Sequence, residues 1–128
     1  MRRLRNGKHV RKMILWLSLA FASTVVLSGC SSPEQVEVGA DTVIIDVRTP
    51  AEFASGHLDG AINIDLESGD FAAEVSELAT TGEYIVYCRS GNRSAQAAEI
   101  MADQGFKNVT DLGSAEDASA ATGKKIVQ

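Results

Sequence analysis

Cys88 and the residues after it form a segment suited to nucleophilic chemistry. Cys88 ends the apolar run EYIVYC, and the six residues that follow are charged, polar or small: Arg89, Ser90, Gly91, Asn92, Arg93 and Ser94. Because Gly91 and Asn92 tolerate positive φ angles, the backbone can curl and turn its N–H groups inward around an anion. The two arginine charges and the positive end of a helix that begins near Ser94 also favour thiolate over thiol. The segment therefore predicts a reactive cysteine rather than an inert packing residue.

The elements that position this segment alternate between strands and helices. Strand patterns cover residues 42–47, 60–65, 83–88 and 107–113, and helix patterns cover residues 50–56, 70–78, 94–105 and 114–123. This alternation predicts an α/β fold with crossover connections and a parallel sheet covered on both faces. Sites in such sheets lie beyond the carboxyl ends of the strands, and Cys88 is predicted at that end of the most apolar strand.

The helix after the first strand carries a clear start signal. Thr49 is placed to cap the helix, Pro50 suits its first position, and Glu52 follows three residues after the cap. This order is typical of a capping box. We therefore predict a short helix that ends at Gly56, and His57 then lies in a turn with a structural role.

The first 29 residues have the layout of a secretory signal peptide. Six of the chain's twelve basic residues precede an apolar run over residues 13–27, and no acidic residue occurs in this region. The run is short for a spanning helix, which needs about 20 apolar residues. It ends in LSGC, residues 27–30, which resembles the bacterial lipobox and implies cleavage before Cys30 with acyl chains on that residue. An ordinary cleaved signal or an uncleaved anchor is the alternative.

The remaining residues suffice for one small domain. We predict a lipid-anchored tether over residues 30–41 and a single folded domain over residues 42–128, held at the outer side of a bacterial membrane. Without residues 1–29, six basic residues face all seventeen acidic ones, a formal net charge of −11. This acidity argues against nucleic acid binding and against electrostatic adhesion to anionic lipid, so the lipid on Cys30 is the predicted membrane link.

The cysteine count excludes several kinds of site. The chain has two cysteines, and acylation of Cys30 leaves Cys88 without a partner in its own chain. A disulfide framework, a C-x-x-C redox pair and a cysteine-rich zinc site are therefore excluded. No cofactor and no metal site are predicted.

Two segments of the chain resemble the rhodanese domain. They are IIDVRTPAEFASGHLDGAINI, residues 44–64, and YIVYCRSGNRSAQAAEIMADQGFKNVTDLG, residues 84–113. The resemblance implies a parallel five-stranded sheet flanked by helices, with Cys88 as the active-site cysteine of a six-residue loop that ends at Arg93. It also implies transfer of a sulfane sulfur from a donor such as thiosulfate, through a persulfide, to a thiophilic acceptor. Arg89 and Arg93 would offset the repulsion between the donor dianion and the thiolate, and inward N–H groups would stabilise the persulfide.

The same resemblance bears on residues near the site. It implies that Asp46 and Arg48 serve mainly in structural ion pairs, with Glu52 as one candidate partner of Arg48. Asp59 replaces a proline usual in the family, and the sequence DLGSAEDASAATG replaces a glycine-glycine-aromatic pattern near the end. The C-terminal wall of the site, and with it the substrate preference, therefore stays open.

Two alternatives to a sulfurtransferase remain. Dual-specificity phosphatases of the cell-cycle kind and related arsenate reductases use a Cys-x5-Arg loop, whereas the spacing from Cys88 to Arg93 is Cys-x4-Arg, which should leave too little room for phosphate. A non-enzymatic module that carries persulfide or senses oxidants for a membrane partner is the second alternative. Because an exported Cys88 lacks a resolving cysteine, we also expect an external thiol reductant as a partner.

Overall fold

The computed structural model describes residues 34–128. The predicted signal peptide over residues 1–29 and the predicted lipidation site Cys30 lie outside the described residues. Within residues 34–128, no helix combines the length and apolar character needed to cross a membrane.

Six strands and four helices make up the described domain. The strands are β1 (Val43–Asp46), β2 (His57–Leu58), β3 (Ile62–Asn63), β4 (Glu83–Cys88), β5 (Asn108–Ser114) and β6 (Ile126–Val127). The helices are α1 (Pro50–Ser55), α2 (Phe71–Ser76), α3 (Asn92–Asp103) and α4 (Ala115–Thr122). A short 3-10 turn, Leu66–Ser68, connects β3 to α2.

The main sheet is parallel, with strands in the order β3-β1-β4-β5. This confirms the predicted α/β class, but the expected count of five strands is wrong, because the parallel sheet has four strands within residues 34–128. The difference lies in β2, which forms a separate antiparallel pair with β6. This pair joins residues 126–127 to the segment after α1, and two strands of two residues each are too short and too distant in sequence to be predicted.

Helices cover both faces of the sheet, as predicted. On one face, Val86 and Cys88 of β4 belong to an apolar cluster that includes residues of α2 and α3. On the other face, Ile85 and Tyr87 belong to a cluster that includes Ala115 and Ala118 of α4. The alternation along β4 therefore directs Cys88 towards α3.

The capping box at α1 forms as predicted. The Glu52 backbone N–H donates to Thr49 Oγ1 over 3.3 Å, and the Thr49 backbone N–H donates to Glu52 Oε2 over 3.1 Å. The Thr49 hydroxyl adds a third bond to the same carboxylate oxygen, at 3.0 Å. Contacts within three residues of sequence therefore hold the Glu52 carboxylate in place.

Asp46 and Arg48 form a buried ion pair at the end of β1. Arg48 Nη2 lies 2.6 Å from Asp46 Oδ2, and Arg48 Nη2 also donates to the Gly56 carbonyl over 2.6 Å. The predicted structural ion pair is confirmed, but Glu52, one candidate partner of Arg48, binds Arg93 instead. The Arg48 backbone N–H also donates to Asp46 Oδ1 over 2.9 Å, so a local turn at the end of β1 brings the carboxylate to the guanidinium.

Part of the predicted tether packs against the domain. Gln35 Nε2 donates to the Ala120 carbonyl over 3.1 Å, and the Val36 N–H donates to the Ala121 carbonyl over 2.9 Å. Val36 and Val38 pack against the apolar cluster on the α4 face. The segment from Gln35 onward is thus part of the folded unit.

Candidate active site

Cys88 lies at the carboxyl end of β4, where the sequence placed it. It is the last residue of the strand and is buried. Its backbone partner in β5 is Ser114, and the register shifts between Val86 and Cys88. This irregularity ends regular pairing at the cysteine, so the chain leaves the sheet directly into the loop.

The loop after Cys88 turns hydrogen-bond donors towards its sulfur. The Gly91 N–H donates to Cys88 Sγ over 2.9 Å, and Ser94 Oγ lies 3.5 Å from the same sulfur. Gly91 has φ = 95°, a left-handed conformation that glycine adopts without the strain of a side chain. A Cβ at this position would lie 3.5 Å from the Gly113 Cα, an ordinary van der Waals distance, so the φ angle rather than lack of space favours glycine. Glycine at position 91 therefore allows the backbone to turn so that N–H groups of the loop point towards the Cys88 sulfur.

These surroundings change the ionisation of Cys88. Burial raises the pKa of the thiol, but hydrogen bonds from the Ser94 hydroxyl and from the backbone N–H groups of Ser94, Gly91 and Ser90 together lower it below its ordinary value. Since these donors stabilise the anion, they shift the equilibrium of Cys88 towards thiolate. The buried Ser94 is a major contributor, and its hydroxyl also donates to the Gly91 carbonyl over 3.1 Å, which holds its Oγ beside the sulfur.

Helix α3 begins earlier than predicted. It starts at Asn92 rather than near Ser94, with Gly91 as its N-cap. Its first turn follows the sulfur directly, so the positive end of the helix dipole lies beside Cys88. The side chains of Ser90 and Asn92 are exposed. These two residues therefore shape the loop through their backbones rather than through buried side chains.

The two loop arginines have different surroundings. Arg89 is exposed and forms no ion pair with any residue in the range 34–128. Arg93 forms a two-pronged ion pair with Glu52, at 2.8 Å and 2.9 Å, and its Nη1 lies 3.2 Å from Glu67 Oε2. The hydrogen bonds from Arg93 lower the pKa of Glu52 to about 2. Arg89 can therefore bind an anion, whereas the charge of Arg93 is already balanced by Glu52 and Glu67.

Sequence reasoning missed Glu67 and the role of Glu52 beside the loop. Glu67 carries no local signal beyond an acidic side chain in a turn. Glu52 was noticed as a capping residue, but its partner Arg93 is 41 positions away. His57 begins β2 and pairs with Val127, so its predicted place in a turn is wrong. Its contacts are those of a structural residue: Nδ1 lies 2.9 Å from the Phe53 carbonyl oxygen, and the His57 and Phe53 rings stack at 3.7 Å.

Other features of the described domain lie away from Cys88. A cavity of about 180 Å³ borders Thr42, Glu83 and Asn108, which begin or precede strands. It therefore lies at the amino ends of the strands, opposite the cysteine. No group of three or more His, Cys, Asp or Glu side chains in residues 34–128 is arranged to hold a metal ion.

Residues 33–117 match the model of the rhodanese-like domain. The chain belongs to the rhodanese-like family. A sulfurtransferase of Allochromatium vinosum is 34% identical over 87 residues, which cover 68% of this chain and 79% of the relative. The thiosulfate sulfurtransferase PspE of Escherichia coli is 37% identical over 79 residues, which cover 57% of this chain and 70% of the relative.

Solved structures of the rhodanese-like family have the same fold. The rhodanese-like domain of the Anabaena protein Alr3790 superposes with a TM-score of 0.60 at 26% identity, over 68% of this chain and 99% of that one. A structure described as a rhodanese with anions from E. coli gives a TM-score of 0.57 at 30% identity, over 68% and 98% of the two chains. The family match includes the Cys88 loop and ends within α4, before β6.

Proposed function

We propose that this rhodanese-like domain is a sulfurtransferase that carries a sulfane sulfur as a persulfide on Cys88. The observation that carries the proposal is the sulfur of Cys88, which lies at the end of β4 among N–H and hydroxyl donors that lower the thiol pKa. The names of the relatives from A. vinosum and E. coli support the same class of reaction, and the second of these names supports thiosulfate as a donor.

The first half of the reaction needs no general base. The Cys88 thiolate attacks the outer sulfur of thiosulfate, a new S–S bond forms, and the old S–S bond breaks. Sulfite leaves with the electron pair of that bond, and the persulfide keeps one negative charge. No proton moves, so an ionised cysteine and a site that tolerates anions are sufficient.

The loop supplies the stabilisation that this step requires. The exposed charge of Arg89 attracts the donor, and the N–H groups of Ser90, Gly91 and Ser94 favour negative charge on the bound sulfur. In the second half, an acceptor thiolate attacks the outer sulfur of the persulfide. Cys88 then leaves as the thiolate, and the acceptor carries the sulfur away.

The proposal is tested by the intact mass of residues 31–128 after exposure to thiosulfate. We expect a gain equal to one sulfur atom on Cys88, and we expect an added thiol to reverse it. Cys88→Ser is the matched control, because it changes one atom and removes the nucleophile. Absence of the gain in the native sequence, or an equal gain in Cys88→Ser, would remove the proposal.

A carrier role is a second candidate, since Cys88 is the single free cysteine in the part of the chain that the structure describes. The putative sulfur carrier protein YrkF of Bacillus subtilis is 34% identical over 79 residues, although the match spans only 42% of that protein. Steady turnover with a small thiol acceptor indicates an enzyme, whereas a single slow discharge indicates a carrier. The phosphatase alternative is disfavoured, because the Arg93 guanidinium that would clamp a phosphate is occupied by Glu52.

We further propose that the domain is exported and held to a bacterial membrane by lipid on Cys30, near a thiol reductant that restores Cys88. The basic and apolar pattern before LSGC supports this proposal. Labelled fatty acid should enter the native protein in cells but not Cys30→Ser, and the native protein should fractionate with membranes. Equal labelling of the two forms would contradict the anchor, and equal Cys88 oxidation in both would contradict the reductant.

A further inference from the structure

The guanidinium of Arg93 is held between two carboxylates at the edge of the Cys88 loop. Its Nη1 and Nη2 atoms lie 2.8 Å and 2.9 Å from the two oxygens of Glu52, and Nη1 lies 3.2 Å from Glu67 Oε2. The Arg93 side chain is 21% exposed. The hydrogen bonds to Glu52 do most to raise the pKa of Arg93, and the charge of the nearby Cys88 sulfur adds to the effect. Arg93 thus adds one positive charge at the edge of the loop, and Glu52 and Glu67, which bind it, add two negative charges.

Both carboxylates are positioned by local structure. Glu52 belongs to the capping box of α1. Glu67 lies in the 3-10 turn, where its own N–H donates to Asp65 Oδ1 over 2.9 Å. The neighbouring Leu66 N–H donates to the Val47 carbonyl over 3.1 Å, which ties this turn to the residue after β1. The turn therefore presents Glu67 at a fixed place beside Arg93.

The formal charges of Arg89, Arg93, Glu52 and Glu67 cancel. Arg93 with Glu52 and Glu67 sums to one negative charge, and the unpaired Arg89 adds one positive charge. Two arginines in a loop of this sequence predict a strongly positive site, but the folded domain has no such excess. The energy of an ion in a given potential is proportional to its charge. Each added carboxylate therefore raises the free energy of a bound doubly charged donor about twice as much as that of a singly charged donor.

We propose that Glu67 is a specificity-determining residue that disfavours dianionic sulfur donors relative to singly charged ones. This inference rests on the proposed sulfurtransferase function and names a property of the donor. Glu67 is the better residue to test than Glu52, because its side chain is 60% exposed and caps no α-helix. Its replacement by glutamine removes the charge and leaves the length of the side chain unchanged.

Two donors with the same reacting bond separate charge from chemistry. Thiosulfate carries two negative charges and releases sulfite, whereas methanethiosulfonate carries one and releases methanesulfinate with the electron pair of the broken S–S bond. We expect Glu67→Gln to raise kcat/KM for thiosulfate about threefold to tenfold, and for methanethiosulfonate about twofold to threefold. The ratio of the two values should therefore increase.

Glu83→Gln is the matched control. It makes the same change of charge at the first residue of β4, about 17 Å along the strand from Cys88 at about 3.3 Å per residue. We expect this variant to leave the donor ratio unchanged. An unchanged ratio in Glu67→Gln, or an equal change in both variants, would overturn the inference.

Alkylation of Cys88 distinguishes failure of this inference from failure of the proposed function. Iodoacetate is an anion and iodoacetamide is neutral, so their relative rates report the charge at the site without any sulfur transfer. Glu67→Gln should raise the rate ratio of iodoacetate to iodoacetamide. If this ratio rises but neither donor transfers sulfur, the charge selectivity stands and the sulfurtransferase proposal fails. If sulfur is transferred but neither ratio moves, the function stands and the role of Glu67 is wrong.

Discussion

Replacing Arg93 with alanine is expected to lower kcat/KM for thiosulfate by about tenfold to a hundredfold. This change removes the cation that compensates Glu52 and Glu67. A tenfold to hundredfold loss corresponds to about 1.4 to 2.7 kcal/mol of lost electrostatic stabilisation of the dianion. The two carboxylates then face an approaching dianion without compensation. Steady-state kinetics with thiosulfate and a thiol acceptor measure the effect.

Arg93→Lys is the companion variant. Lysine keeps the positive charge but loses the planar fork that meets both oxygens of Glu52. We therefore expect activity between those of the native protein and Arg93→Ala. Circular dichroism checks that all three forms fold. Equal activity in the three forms would show that the backbone N–H groups of the loop hold the anion without Arg93.

Replacing Asp46 with alanine is expected to lower the free energy of unfolding by about 3 to 5 kcal/mol. The Asp46 side chain is fully buried and Arg48 is nearly so, so the change leaves a guanidinium without its carboxylate in the interior. Loss of one partner of a buried ion pair typically costs this much. Urea denaturation followed by far-ultraviolet circular dichroism gives the value.

Asp59→Ala serves as the control for Asp46→Ala. Asp59 is exposed, so removal of its carboxylate should change the free energy of unfolding by less than about 0.5 kcal/mol. A loss below about 1 kcal/mol in Asp46→Ala would show that water or another group takes over the role of Asp46. It would contradict the view that this ion pair stabilises the end of β1.

Features with a local signal in the sequence were predicted well. Thr49, Pro50 and Glu52 indicated the start of α1, and the apolar run before Cys88 indicated β4 and its end. The composition of the loop predicted its curl at Gly91, which has a positive φ angle. Each of these depends on neighbours within a few residues, so a single sequence contains the information.

Features that depend on distant parts of the chain were not predicted. The pair of β2 and β6 joins two-residue segments that have no periodicity to detect. Glu52 binds Arg93 rather than Arg48, because the fold brings the start of α1 to the start of α3, and Arg48 pairs with Asp46. The identity of an ion pair across 41 positions depends on the packed fold, and no spacing rule indicates it.

The contacts of Gln35 and Val36 with α4 determine how few residues separate the folded domain from Cys30. If Cys30 is the anchor, only residues 31–34 separate it from Gln35, and five residue steps extend at most about 17 Å. The search for an acceptor would then be confined to a thin layer above the lipid surface. Within that layer a surface-bound partner is met at a high effective concentration, whereas a large partner free in solution gains nothing. With that anchor, such a short connection would favour sulfur exchange with partners at the membrane over exchange with partners in the surrounding solution.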